Sequence, residues 1–203
     1  MNIDRWTALM RALGLPDSAS TYDRLAEAYR EPQRHYHTTR HIEDCLAKLD
    51  LLRAQANKPD EIELALWFHD AVYLPYKSGN EEKSAEWAER FLGEAEATEN
   101  LIVRTRELIL ATRHDAVATD RDTAILIDVD LSILGADRER YDTFEKDVRK
   151  EYRWVPRPLY RRERRKILAS FLKRERIFAT DDFFDRYEAQ ARRNLERAIG
   201  DLS

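Results

Sequence analysis

Glycine, proline and cysteine are scarce in this chain of 203 residues, which contains five, six and one of them. So few glycines and prolines leave little material for the tight turns of a β-rich fold and favour long helices. Because Cys45 is the sole cysteine, the chain can form neither an intrachain disulfide nor a cysteine-cluster zinc site. These shortages favour an all-helical protein without covalent cross-links.

Long apolar runs are missing as well. No stretch approaches the roughly 18–20 apolar residues that a membrane span needs. The N-terminus also lacks the basic start and apolar core of a signal peptide. We therefore expect a cytoplasmic protein with no membrane partner. The high charged fraction, 36%, predicts a densely charged surface around a packed core.

Most of the chain instead shows the apolar period of amphipathic helices. Asn80 and Thr98 are plausible N-caps for the helices that follow them. The segment Ala124–Leu131 is rich in β-branched residues and could form a buried strand. However, no second run of this kind exists to pair with it, so we interpret it as a short buried helix. The predicted fold class is a single all-α domain.

A histidine and an aspartate, His69 and Asp70, stand together at the end of the apolar run Ile62–Val72. An ionised carboxylate in such surroundings costs several kcal/mol unless a positive group meets it. Adjacent imidazole and carboxylate groups are suitable ligands for one divalent cation. The pair therefore predicts part of a metal site.

Further candidate ligands lie on both sides of this pair. His37 and His41 are four residues apart and would share a face if their helix begins early enough, although a histidine here could also be a surface or capping residue. Asp128 and Asp130 lie between two apolar runs, where each needs a cation, a capping role or an arginine. The predicted ligands of one divalent metal ion (Mn, Fe, Ni, Co, Zn or Mg) are His41, His69, Asp70 and Asp130.

The order of these ligands resembles that of the HD superfamily of metal-dependent phosphohydrolases. The segments RHYHTTRHI, FHDAVY, NEEKSA and DVDLSILGA are similar to a predicted phosphohydrolase family of bacterial proteins within it. This resemblance implies an HD-domain-like helical bundle over residues 1–203, with a metal-site core at about residues 34–152 and extra C-terminal helices. It also implies metal-assisted attack of water on a small phosphoester, such as a nucleotide or related phosphometabolite.

The resemblance has departures that shape the expected site. Two-metal members of the superfamily use additional histidines between the HD pair and the last aspartate, where this chain has only His114, so we expect one metal. Asp70, Glu81 and His114 are the candidate catalytic residues, although Glu81 could equally be an ordinary acidic residue of a first helical turn. Candidate phosphate-binding residues, each also explicable as a surface charge or structural group, are His37, Arg40, Lys77 and Arg113.

Two other functions stay open. A di-iron oxygenase could use the same fold, but the shortage of histidines argues against it. A non-catalytic binding or regulatory module could keep the metal for structure and use the basic segment Arg149–Arg176 for a partner. This segment has twelve Lys and Arg against three Glu, whereas the whole chain carries a net charge of −4.

A basic segment of this kind can hold phosphates or nucleic acid. The favoured interpretation is a solvated helix face that pairs with the acidic remainder of the fold. Few aromatic residues lie within the segment, so nucleic acid is the weaker prediction. The expected partner is a small phosphorylated substrate, with a homo-oligomer left open.

Overall fold

A computed structural model of the protein describes residues 1–113, 118 and 120–202, and this part of the chain is helical with no β-strand. The all-α prediction is confirmed. The helices are α1 (Ile3–Ala12), α2 (Ala19–Ala28), α3 (Thr39–Leu52), α4 (Pro59–Phe68), α5 (Asn80–Glu94), α6 (Glu99–Ala111), α7 (Arg121–Leu131), α8 (Arg138–Glu151), α9 (Arg157–Leu172), α10 (Asp181–Phe183) and α11 (Ala189–Asp201).

Three short elements complete the helical segments. The 3₁₀ turns Arg53–Gln55 and Ser132–Gly135 follow α3 and α7, and the π-helical turn Phe184–Glu188 joins α10 to α11. Across the described residues, no helix has both the length and the apolar character that crossing a bilayer requires.

The chain divides into two compact units, Met1–Ile127 and Asp128–Ser203. Helix α7 begins in the first unit and ends in the second. The HD-like single domain over residues 1–203 stays a prediction.

Helix α4 is the centre of the first unit, where it packs against α1, α3, α5 and α6. Every residue from Ile62 to Phe68 is buried, as expected for a helix without a polar face. Its Trp67 meets Trp6 edge to face at 5.4 Å between ring centroids, and Phe68 stacks on Phe91 at 5.6 Å. The C-terminal end of α4 therefore delivers its last residues into the core.

One charged residue, Glu63, lies among the buried residues of this helix. The Glu63 carboxylate accepts hydrogen bonds from Arg5 Nε at 2.8 Å and from Arg53 Nη1 at 2.7 Å. The start of α4 is fixed from α7, because the Asp122 carboxylate accepts the backbone N–H groups of Asn57 and Lys58 at 2.8 and 3.0 Å. These contacts hold α4 in place before the chain reaches His69.

The structure tests three local predictions from the sequence. Ala124–Leu131 is helical as part of α7, and Thr98 caps α6 by accepting the N–H of Leu101 at 3.4 Å. Both predictions are confirmed. The predicted N-cap at Asn80 is wrong, because Gly79 takes the cap position with a φ of 77° and Asn80 is the first residue of α5. The Asn80 side chain instead accepts the N–H of Leu74 and donates to its carbonyl.

In the second unit, Asp128 is fully buried and accepts the backbone N–H groups of Ala179 and Thr180 at 2.8 and 2.7 Å. The Thr180 hydroxyl donates to it as well, at 2.6 Å. Burial raises the pKa of Asp128 even though these hydrogen bonds oppose the rise. The buried Asp128 carboxylate is therefore satisfied by hydrogen bonds from the segment that leads into α10.

Gly135, in the DVDLSILGA segment, lies directly against the π-helical turn of the same unit. A Cβ atom added at Gly135 would lie 2.5 Å from Tyr187 Cβ and 2.8 Å from the Tyr187 carbonyl oxygen. These distances are too short for any side chain, so the close approach of the two backbones requires glycine here.

We predict that Gly135→Ala lowers the free energy of unfolding by about 1–3 kcal/mol, because the new methyl group must push the Tyr187 backbone away. Gly93→Ala is the matched control. Gly93 lies inside α5 with open space around it, so alanine there should stabilise by roughly 0.5–1 kcal/mol. Urea unfolding of both variants measures the difference. Equal stability of the Gly135→Ala variant and the parent chain would contradict the close contact.

Candidate metal centre

The end of α4 leaves four backbone carbonyls that cannot be paired within an ideal helix. The N–H of His69 pairs with the Ala65 carbonyl at 2.8 Å, and the N–H of Ala71 pairs with the Phe68 carbonyl at 2.9 Å. The two carbonyls between these, of Leu66 and Trp67, are paired with side chains. His69 Nδ1 lies 2.9 Å from the Leu66 carbonyl oxygen, and the Tyr29 hydroxyl donates to the Trp67 carbonyl at 3.1 Å.

The contact with Leu66 fixes the tautomer of His69. A carbonyl oxygen only accepts hydrogen bonds, so Nδ1 carries the hydrogen and the neutral ring keeps a lone pair on Nε2. A histidine that binds a metal through one ring nitrogen usually donates its other ring N–H to a carboxylate, a backbone carbonyl or water. Since His69 is 1% exposed, its ring orientation is set by the core.

His41 and Asp70 complete a cluster with His69 in the first unit. His41 is the third residue of α3 and is buried, and its Nε2 lies 3.1 Å from Nε2 of His69. Asp70 Oδ2 lies 3.1 Å from His69 Nε2 and 3.5 Å from His41 Nε2. Two imidazole nitrogens and a carboxylate oxygen thus converge on one point.

These separations suit a shared metal ion. Ligand atoms bonded to one ion at about 2.1 Å lie about 2.9–3.4 Å from each other in octahedral or tetrahedral geometry. Burial opposes ionisation of Asp70, but the imidazoles of His69, His37 and His41 lower the pKa of this carboxyl well below its usual value. The residues present therefore fit a divalent cation of the kind that nitrogen and oxygen ligands select.

His37 lies beside this cluster but is not part of α3, the helix that carries His41. Helix α3 begins at Thr39, so His37 precedes the helix. Its ring stacks on Tyr73 at 4.1 Å and lies 5.9 Å from the ring of His41, measured between centroids. His37 is therefore close to the cluster without sharing a helical face with His41.

Arg34 joins the segment before α3 to the turn after α4. Its guanidinium donates to the carbonyl oxygens of Asp70 at 2.7 Å, Ala71 at 3.0 Å and His37 at 3.2 Å. The side chain is fully buried, and its charge is balanced by Glu31 at 3.1 Å. One buried arginine therefore fixes the distance between the two segments that carry the cluster.

The NEEKSA segment supports the chain that follows Asp70. The Ser84 hydroxyl accepts the N–H of Val72 at 3.0 Å and donates to its carbonyl at 3.4 Å, while Asn80 holds Leu74 in the same way. Sequence reasoning did not assign Arg34, Asn80 or Ser84 to the site. The one indication in the sequence was that all three lie within the segments RHYHTTRHI and NEEKSA, which carry the family resemblance.

Glu81 is half-buried in the first turn of α5, while Arg40 and Lys77 are exposed. Arg113 is exposed and forms an ion pair with Glu82 at 2.6 Å, and the backbone N–H of Glu82 and this arginine lower the pKa of Glu82. The catalytic and phosphate-binding roles stay predictions.

His114 falls outside the described residues. Asp130 is half-buried near the end of α7, within the second unit, and its place among the ligands stays a prediction.

Comparison with known proteins adds no relative. Neither the family models, nor the curated proteins, nor the solved structures include a match to this chain. The assignment of a function therefore depends on the residues described above.

We predict that Arg34→Met lowers the free energy of unfolding by about 2–4 kcal/mol, because it leaves buried carbonyl oxygens without donors. Arg30→Met is the control, since Arg30 is exposed and its loss should change stability by about 0.5 kcal/mol or less. Chemical denaturation measures both. Similar stabilities of the two variants would show that the Arg34 contacts do not hold the segments together.

Proposed function

We propose that this chain is a metal-dependent phosphohydrolase of the cytoplasm that acts on a small phosphoester, such as a nucleotide or related phosphometabolite. One divalent ion would be held by His41, His69, Asp70 and Asp130. The observation that carries the proposal is the convergence of His41 Nε2, His69 Nε2 and Asp70 Oδ2 within 3.1–3.5 Å, beside the carbonyl that fixes the His69 tautomer. The order of the four ligands along the chain, which resembles that of the HD superfamily, supports the same class of enzyme.

The burial of the cluster indicates the side from which a substrate would approach. The side chains of His41 and His69 are almost fully covered, whereas that of Asp70 is 17% exposed. Substrate and water would therefore meet the site on the side of Asp70. A divalent ion bound there supplies Lewis-acid chemistry toward a phosphoryl oxygen and a water molecule.

The other residues have distinct proposed roles. Asp70, the most exposed of the three clustered groups, would hold the metal ion and orient the water that attacks phosphorus. Glu81 is then the proposed general base and His114 the proposed acid for the leaving group. His37, Arg40, Lys77 and Arg113 would stabilise the phosphate charge.

The proposal is tested by single substitutions in the cluster. His69→Ala and Asp70→Ala should each abolish metal binding and turnover while the chain stays folded by circular dichroism. His35→Ala removes a histidine that is not among the predicted ligands, so it should retain both. Elemental analysis gives the metal content, and a phosphometabolite screen with each divalent cation added back gives the turnover. Stoichiometric metal and full activity in either cluster variant would refute the assignment.

The fourth ligand has a separate test. Asp130→Asn should weaken the affinity for the divalent ion by at least 10-fold, because a neutral amide is a poorer ligand than a carboxylate. Two irons per chain with uptake of oxygen would favour the oxygenase instead. Metal occupancy without turnover on any phosphoester would favour the binding module.

A further inference from the structure

The second unit contains a large groove that the proposed phosphohydrolase chemistry does not use. It has a volume of about 1360 Å³ and is lined by residues of α8, α9 and α11. Ten lysines and arginines line the groove against three carboxylates, Asp142, Glu145 and Asp201. The basic segment found in the sequence therefore contributes to a concave surface of strongly positive charge.

Some of these cations already have partners within the fold. Arg197 and Arg138 both pair with Asp142, and Lys150 pairs with Asp147 at 2.7 Å. Arg149 donates to the carbonyls of Tyr152 and Val155 at 2.6 and 3.0 Å. These contacts shape the groove and leave their cations less available to a ligand.

Four other cations of the groove are exposed and have no ion-pair partner among the residues that the structure describes. They are Lys146 on α8 and Arg157, Arg161 and Arg165 on α9. The three arginines are four residues apart and so follow one face of α9 over about 12 Å. Unpaired like charges repel each other, so a row of this kind favours a bound polyanion.

The shape and lining of the groove narrow the class of polyanion. Its volume exceeds the roughly 300–1,000 Å³ of sites for small molecules, which favours a chain over a single nucleotide. A concave groove also does not match the surface of a bilayer. Its aromatic residues, Tyr141 and Tyr160, are both buried, so the lining offers no exposed ring on which bases could stack.

We propose that this groove binds a linear chain of phosphate groups by charge, without recognition of bases. Inorganic polyphosphate and the backbone of a single-stranded nucleic acid share this chemistry. Arginine is well suited to it, because its guanidinium presents paired donors to phosphate oxygens.

The experiment measures binding of the full chain to a fluorescent 20-nucleotide oligothymidylate by anisotropy, with inorganic polyphosphate as competitor. The test variant replaces Arg157, Arg161 and Arg165 with Gln. The control variant replaces Arg153, Lys173 and Arg186 with Gln, which removes the same charge from exposed positions of the same unit that do not line the groove. Circular dichroism verifies the fold of both.

We expect the test variant to bind at least 10-fold more weakly than the control. Its plot of log affinity against log salt should also lose about 2 units of slope, since each phosphate contact on a single strand contributes about 0.7. Tighter binding of polyphosphate than of oligothymidylate at equal phosphate number would identify polyphosphate as the ligand, and the reverse would identify nucleic acid.

Three results would overturn the proposal. The first is equal weakening in the control variant, which would make the effect one of net charge. The second is equally strong competition by polyglutamate of matched charge, which would remove the preference for phosphate. The third is no binding of either phosphate chain by the parent protein.

Discussion

The buried end of α4 is the constraint on which the first unit depends. A helix without a polar face must end somewhere, and this one ends inside the core, where its last carbonyl oxygens have no water to meet them. The ring of His69 and the hydroxyl of Tyr29 supply two of the missing donors. The same hydrogen bond that satisfies the Leu66 carbonyl turns Nε2 of His69 toward His41. One hydrogen bond, from His69 to the Leu66 carbonyl, therefore both satisfies the end of the helix and orients a candidate metal ligand.

Much of the fold could be predicted from the sequence because it depends on local periodicity. The apolar run before His69 predicted a buried helix, and an ionised aspartate at its end predicted a compensating group nearby. The helical state of Ala124–Leu131 followed from a different argument, since a lone strand would leave its backbone unpaired. These inferences needed only spacing and the free energy of burying charge.

Other features depend on contacts between distant parts of the chain, which spacing does not reveal. Asparagine is a common N-cap residue, yet the Asn80 side chain pairs with the backbone of Leu74. Gly135 is explained only by Tyr187, 52 positions later. Nothing in the spacing around Arg34 distinguishes it from the other charged residues, which make up 36% of the sequence, yet its side chain is fully buried. The basic segment was expected to pair with acidic groups, and Arg164 does so with Glu145, but the groove between helices was not foreseeable.

The Arg34 guanidinium has a consequence for local fluctuations of the native state. Its donors reach the segment before α3 and the turn after α4 at once, so neither segment can detach without leaving a buried charge short of partners. The two segments therefore form a single cooperative unit that opens and closes together. Amide hydrogens on both sides of the cluster that exchange through this opening would share one opening free energy. Local fraying at one ligand alone is thereby suppressed, which keeps His41 and Asp70 in register with each other.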